Sequence, residues 1–513
     1  MIERTPVLVG IGQRLQRVDD PAEAQAPLGL MIAAVRDAAA DAGAPSLLAK
    51  TSSIRVIKGI WAYRNPGLAI AETLACGAIE TGVSVLGGNH VQMVLNRSAV
   101  DIREGVRDVV ILTGAECGRT MARAQRAGIE LDWLADQQPD SIPAPDVEYG
   151  TSKWTRHEAE MARGLQRPAP YYAMFENALR YHAGESVDEH QDRIARLWAR
   201  FSTAAQGNPS AWIRREVTAE EIRIASVVNR PISFPYPKLM TANMRVDMGA
   251  ALILCSLETA RSLGIAPGKM IFPLSGTDAY DHYFVSERDT LHASPAIRIA
   301  GRRALELAEV ELDDLDFVDL YSCFPSAVQI AANELGLSQD RPLSVTGGLT
   351  FGGGPLNNYV MHAIARTAEL LRETPGGRAL VTANGGMLTK HSFGLYGAEP
   401  SARGYAYQDL QAQVDREPRR EVTVNVAGAA EIESYTVTFG EKVATPTRSH
   451  SAIYAKTTDS GTDPSVAHLA CRLPDGRRTW ANIETPEVLD AMCHEEFCGR
   501  TVRIDGQGTA VLT

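Results

Sequence analysis

The chain has 513 residues, too many for one hydrophobic core and enough for two or three domains. Its 45% apolar and 22% charged content is that of an ordinary globular protein, and no run approaches the ~20 apolar residues that span a bilayer. A formal charge of −11 argues against a general role on nucleic acid or anionic membranes, while leaving room for a local basic patch.

Residues 1–13, MIERTPVLVGIGQ, lack the basic start and apolar run of a signal peptide and already read as a strand centred on 7–11. An Ala-rich amphipathic helix is expected over 27–43. Next come a strand at 83–86, the pair Gly87-Gly88, a helix at 90–104, Gly105, and a strand at 108–113 that closes on Gly114-Ala115-Glu116. Residues 118–238 are helix-rich and too well patterned for a bare loop; the aromatic and Met residues of YYAMFENALR, 171–180, are read as core. A strand and a helix follow over 246–264. The logic of strand, Gly turn, helix and strand then recurs, with 343–348 (LSVTGG), a helix at 357–372 and a strand at 378–386. Such alternation indicates α/β layers with largely parallel sheets, and its recurrence points to an internal duplication. Gly352, Gly353 and Gly354 lack the Lys-Ser/Thr of a phosphate loop.

After about residue 415 the texture changes to short alternating strands at 422–426, 435–439, 451–455, 468–472 and 501–505, with a turn at Pro474-Asp475-Gly476. These predict a small β-barrel, with the oligonucleotide/oligosaccharide-binding (OB) type as the leading candidate. Eight Lys/Arg against ten Asp/Glu over 435–513 disfavour nucleic acid, and Arg477-Arg478 beside Trp480 is the only cluster that suggests it. Cys493, His494 and Cys498 lack a second Cys pair and read as a packed helix end rather than a metal site. The seven cysteines are odd in number and scattered, so reduced thiols and a cytoplasmic location are expected.

Residues 85–116 resemble the nucleophile segment of thiolases, where a reactive Cys opens the helix and the next strand ends in Gly-Gly-x-Glu. Three more segments follow in thiolase order. DFVDLYSCFPS, 316–326, resembles the Asn-Glu-Ala-Phe segment, or His-Asp-Cys-Phe of the sterol-carrier-type relatives. GGLTFGGGPL, 347–356, resembles Gly-Gly-x-x-x-x-Gly-His-Pro-x-Gly. VTANGGMLTKH, 381–391, resembles the strand and Gly turn that carry the second thiolase Cys. With its added C-terminal region the whole chain is similar to the type 1 thiolase-like proteins of the thiolase superfamily.

The resemblance implies a thiolase fold of two similar βαβαβαββ halves. One covers 1–258, with a helical loop domain at about 118–238, the other 259–415, and 416–513 form the added OB-like barrel. It also places the chemistry. The nucleophile position falls at Gly88, or at Gly87 with a one-residue slip. Tyr321 and Ser322 stand at the Asn/His and acidic positions of the second motif, Gly354 at the catalytic His, and Ala383 or Asn384 at the second Cys. A thiolase needs a low-pKa Cys at a helix N-terminus, an oxyanion hole and a second acid/base group, so these replacements imply that ordinary thiolysis is lost.

Tyr321 and His391 remain as candidate functional residues. Cys323 reads as a packed thiol and His90 as a cap or packed residue. The expected ligand is coenzyme A or an acyl-CoA, with no permanently bound cofactor and no membrane span; homodimer and monomer both stay open. Two rival readings stand beside this one. The first is acyl transfer or retro-aldol cleavage of CoA thioesters in lipid or steroid metabolism, using Tyr321. The second is nucleic-acid or protein binding through the C-terminal OB-like region.

Overall fold

The computed structural model describes residues 2–133, 141–440 and 461–513. The first half contributes β1 (Pro6–Leu15), β2 (Ser53–Val56), β3 (Glu80–Ser84), β4 (Val109–Cys117) and β5 (Val147–Tyr149). After the insertion's short β6 (Pro231–Ser233) and β7 (Tyr236–Pro237) comes β8 (Asp247–Ser256). The sheet order is β1-β8-β4-β2-β3-β5, with β8 antiparallel to both neighbours and the other pairs parallel. Every residue of β4 and β8 is buried, which is why both read as near-continuous apolar runs.

The second sheet is built from β9 (Phe272–Tyr280), β10 (Phe317–Asp319), β11 (Arg378–Gly385), β12 (Lys390–Gly397) and β13 (Ala406–Asp409), in the order β10-β11-β12-β9-β13. Parallel β10/β11, antiparallel β11/β12 and antiparallel β12/β9 repeat β2/β4, β4/β8 and β8/β1. The recurring sequence logic therefore corresponds to four strands in each sheet that share order and direction, β1-β8-β4-β2 and β9-β12-β11-β10. Helix His90–Arg103 lies between them and contacts β4 and β8 on one side and β9, β11 and β12 on the other. It is buried nearly all round, so its polar residues need internal partners. Gln92 donates to Asn96 Oδ1 at 2.9 Å and accepts from the Tyr396 hydroxyl at 2.8 Å. Helix Tyr359–Arg372 is the matching element of the second half and contacts β1, β8 and β11.

Residues 343–348 do not form the expected strand. The buried Asp319 carboxylate holds them as a loop, accepting from Ser344 Oγ at 2.9 Å, Thr346 Oγ1 at 3.0 Å and the amides of Val345 and Thr346 at 3.0 and 3.2 Å. The Tyr359 hydroxyl adds a fifth bond at 2.7 Å. One side chain thus satisfies backbone groups that a sheet ladder would otherwise have paired.

The C-terminal strands are β14 (Gly428–Phe439), β15 (Pro464–Arg472), β16 (Arg478–Ile483), β17 (Thr501–Ile504) and β18 (Ala510–Leu512). With β6 and β7 they make a seven-stranded antiparallel sheet, β6 joining β14 at Ser233 and Thr438. Its far edges meet only at an isolated bridge between Asn482 and Thr509, so no ladder closes it into a barrel among the described residues. The expected strand 422–426 is reduced to one bridge from Val422 to Arg478, and the expected strand 451–455 lies outside the described residues.

One face of this sheet has a core of its own, including Ile432, Val437, Leu469, Met492 and Phe497. The other docks on the body through Arg478 and Trp480. Arg478 is fully buried, forks onto Glu433 at 2.6 and 2.8 Å, and donates to the Ser286 and Arg288 carbonyls. Trp480 Nε1 donates to Ser286 Oγ at 2.8 Å. The cluster that suggested a nucleic-acid platform is therefore interior, and only Arg477 faces solvent, on Asp475. No helix among the described residues is long and apolar enough to cross a membrane.

Candidate functional site

Gly87, Gly88 and Asn89 lead into helix His90–Arg103, where the first turn leaves free backbone amides and a positive dipole end. A Cβ on Gly88 would overlap both the Tyr321 hydroxyl and the Asn384 carbonyl oxygen. Three positions read as degenerate at separate points of the sequence are thus brought together, and no side chain fits at 88 without displacing the other two. Gly87 is no roomier, since a Cβ there would meet Asn89 and His90 within 2.9 Å.

Tyr321 follows β10, and its amide donates to Thr382 Oγ1 on β11 at 2.9 Å. Its ring meets that of Tyr359 edge-on at 5.5 Å. Burial and the neighbouring Cys323 push its phenol well above the usual range, so it is a hydrogen-bond donor and not a ready base. Asn384 lies on β11 and donates through Nδ2 to the Tyr172 hydroxyl at 2.9 Å. That same hydroxyl accepts from the Leu388 amide at 3.0 Å. Tyr172, from the insertion, thereby fixes the turn between β11 and β12, a role invisible in a sequence where it looks like one more core aromatic.

A cavity of about 10 Å³, about the room of one water, brings Tyr321, Thr382, Ala383, Asn384 and His391 together. Tyr321 and His391 thus line the same cavity, without Gly88. Gly354 does not line this cavity. Its amide donates to the Asn243 carbonyl at 3.0 Å, and a Cβ there would meet the Asn243 and Leu349 carbonyl oxygens at 3.2 and 3.3 Å. Ser322 points its Oγ at Gly348, where it fills the space of a side chain.

His391 Nε2 lies 3.3 Å from Asp281 Oδ2 and 3.2 Å from the Leu388 carbonyl. Burial alone would raise the Asp281 carboxyl, but the His391 hydrogen bond and the Arg288 charge outweigh it and hold the group below its ordinary value. Asp281 also accepts from Ser294 Oγ and from the Ala296 amide at 3.0 Å, so the imidazole is aimed by a carboxylate that is itself fixed. Burial pushes the Cys323 thiol up to about 12, which suits a packed thiol and not a nucleophile. His90 is fully buried, and burial with the nearby Lys390 charge lowers it to about 3, so it is a neutral core residue and not a cap.

Glu116 was legible only as the end of a motif. Burial raises its carboxyl to about 7, against the opposing Ile60 amide and Lys58 charge. The amide of Ile60 donates to it at 2.8 Å, and the Lys58 ammonium stands 4.5 Å over the Trp61 ring. Nothing in its residue type signals this, since the shift comes from burial that arises only in the fold.

No protein-family model matches the chain. It is similar to a monomeric SCP2-thiolase like protein type 1 from Mycobacterium smegmatis, with a TM-score of 0.80, 29% identity and 100% of both chains covered. An Ltp2-ChsH2(DUF35) aldolase superposes with a TM-score of 0.58 at 22% identity, over 77% of this chain and 98% of that one. An acetyl-CoA acetyltransferase from Syntrophomonas wolfei superposes with a TM-score of 0.53 at 15% identity, over 77% of this chain and 99% of that one. These last two establish likeness of fold alone. In sequence, an acetyl-CoA acetyltransferase of Methanocaldococcus jannaschii is 23% identical over 245 residues, 48% of this chain and 54% of that protein, so the match spans about half of that relative's length.

Proposed function

We propose that the chain, which is similar to a type 1 thiolase-like protein, is a member of the thiolase superfamily that binds coenzyme A or an acyl-CoA and does not carry out thiolysis. One observation carries this reading: the space of a nucleophile at 88 is filled by Tyr321 and the Asn384 carbonyl. An acyl-enzyme needs a thiolate at that helix N-terminus, and neither Gly88 nor Gly354 supplies a reactive group. For a thioester to reach Tyr321, the turn between β11 and β12 has to open, because the cavity of about 10 Å³ admits a water and not an acyl chain. We take 1–258, 259–415 and 416–513 as the units of this architecture, the last an OB-like barrel whose closure is incomplete. The test is a thermal-shift panel of CoA, acetyl-CoA, long acyl-CoAs and steroid-CoAs, since a ligand at a hundred times its Kd stabilises by about 2.7 kcal/mol. A rise in Tm with at least one is expected; no shift with any sinks the reading.

A second reading, retro-aldol cleavage of a β-hydroxyacyl-CoA, is favoured by the Tyr321 hydroxyl standing where the nucleophile would be and by the aldolase among the neighbours in fold. Such cleavage needs a base for the β-hydroxyl and a donor for the enolate. With its phenol raised by burial, Tyr321 suits the donor's part. His391, held by Asp281 in the same small cavity, is then the candidate base.

A further inference from the structure

Among the described residues, the most exposed large apolar side chains sit together at one tip. Val227 is 99% and Val228 76% exposed, the two highest values for large apolar residues among those described, and Ile224 adds 54%. The tip is held in shape. Asn229, itself buried, donates through Nδ2 to the carbonyls of Glu221, Ile222 and Ile224 at 2.9, 3.0 and 3.0 Å, and its Oδ1 accepts from the Leu239 amide at 2.8 Å. Ser226 and Asn229 close the turn with reciprocal backbone bonds at 3.1 Å. The fold therefore fixes a backbone that holds the side chains at 227 and 228 out into solvent.

The base of the tip is cationic. The Lys238 amide donates to the Arg230 carbonyl at 2.9 Å, and the Lys238 ammonium is lowered first by partial burial and then by repulsion from Arg245 and Arg230. Among the described residues none of these three cations has a carboxylate in ion-pair range. Their neighbours differ: Arg223 pairs with Asp188 and Asp192, and Arg215 with Glu221. Glu216 and Glu220, a few residues before the tip in sequence, are exposed.

We propose that residues 224–230 form a docking tip for an anionic lipid bilayer, with Ile224, Val227 and Val228 entering the headgroup boundary and Arg230, Lys238 and Arg245 meeting lipid phosphates. Clustered apolar exposure marks an interaction site. A convex apolar tip with an unpaired basic collar complements an anionic membrane surface, where apolar burial and charge attraction add. The body, at a formal charge of −11, is repelled by the same surface, so the attachment is local and screened by salt.

The full chain is floated with vesicles of phosphatidylcholine alone and with added phosphatidylglycerol, at low and high salt. Comigration is expected with the anionic vesicles only, and only at low salt. The double change Val227→Ser, Val228→Ser should lower the partition coefficient on the order of tenfold. Lys238→Gln with Arg245→Gln should do the same, both pairs leaving Tm unchanged. Absence of wild-type comigration with anionic vesicles overturns the proposal, as does comigration that survives the valine changes. Equal binding to neutral vesicles removes the role of the cations and overturns it as stated.

Discussion

The Tyr321 hydroxyl lies in the space that a side chain on Gly88 would need, with the Asn384 carbonyl closing the other side. Gly88 leads into the central helix and Tyr321 stands two residues beyond β10 in the opposite half, so the contact ties the two halves together at the site. Overpacking of this kind costs roughly 1–3 kcal/mol. Gly88→Ala should therefore destabilise by that amount, measured by denaturant unfolding. In a Tyr321→Phe background the cost should shrink by at least about 0.5 kcal/mol, because residues in contact couple. Strict additivity would refute the contact.

Thiolysis and retro-aldol chemistry separate cleanly at the same residue. Acetoacetyl-CoA thiolysis by the purified protein should not exceed background, and mass spectrometry should find no acylated residue. Tyr321→Phe removes one hydroxyl and keeps the ring. If the retro-aldol reading holds, it should cut cleavage of a β-hydroxyacyl-CoA about a hundredfold or more, the usual scale for losing one acid/base group or oxyanion donor. An active protein unaltered by the change would eliminate Tyr321 from the chemistry.

Acid should destabilise the fold through histidines. Burial lowers His90 and His362 to about 3 and His468 to about 4 from 6.5. For such groups stability is complete above pH 6.5 and is lost as pH falls toward the folded values, by about 2 kcal/mol each at pH 5. Glu116, raised from 4.5 to about 7, works the other way: its contribution is complete below pH 4.5 and lost as pH rises through 7. Going from pH 7.5 to 5 it regains only about 2 kcal/mol, so the histidines win. Tm should fall over that range, and Glu116→Gln should raise Tm at pH 8 but scarcely at pH 5.

Arg478 should be the anchor of the C-terminal sheet. Arg478→Met leaves Glu433 and several carbonyls without their buried partner, and breaking such a pair costs about 3–5 kcal/mol. Arg478→Lys should recover little, since an ammonium cannot reproduce the bidentate fork. Chemical unfolding of both variants checks this; a full rescue by Lys would show that charge alone suffices.

The outer edge of β3 is covered within the chain by β5, through Gly82/Val147, Val83/Glu148 and Ser84/Tyr149. A covered edge cannot pair with a second copy. Light scattering behind size exclusion should give the mass of one 55.5 kDa chain; a stable dimer would show that another surface pairs.

Much of the fold was legible in the sequence because local rules dominate there. The continuous apolar runs of β4 and β8 and the Gly-punctuated helices at 90 and 359 announce themselves by period and turn chemistry. The residue types at 88, 321, 354 and 384 (Gly, Tyr, Gly and Asn) are likewise read directly from the sequence. Elsewhere a distant partner overrode the local signal. Residues 343–348 look like a strand and become a loop because Asp319, 25 residues or more upstream, takes their hydrogen bonds. Arg478 and Trp480 look like an exposed basic and aromatic patch, yet they are buried because the Ser286 segment packs over them. The site divides in the same way. Sequence alone determined that Gly88 carries no nucleophile. Only the tertiary structure decided that none could fit, because the Tyr321 hydroxyl and the Asn384 carbonyl come from distant segments that long-range folding brings to the same few ångströms.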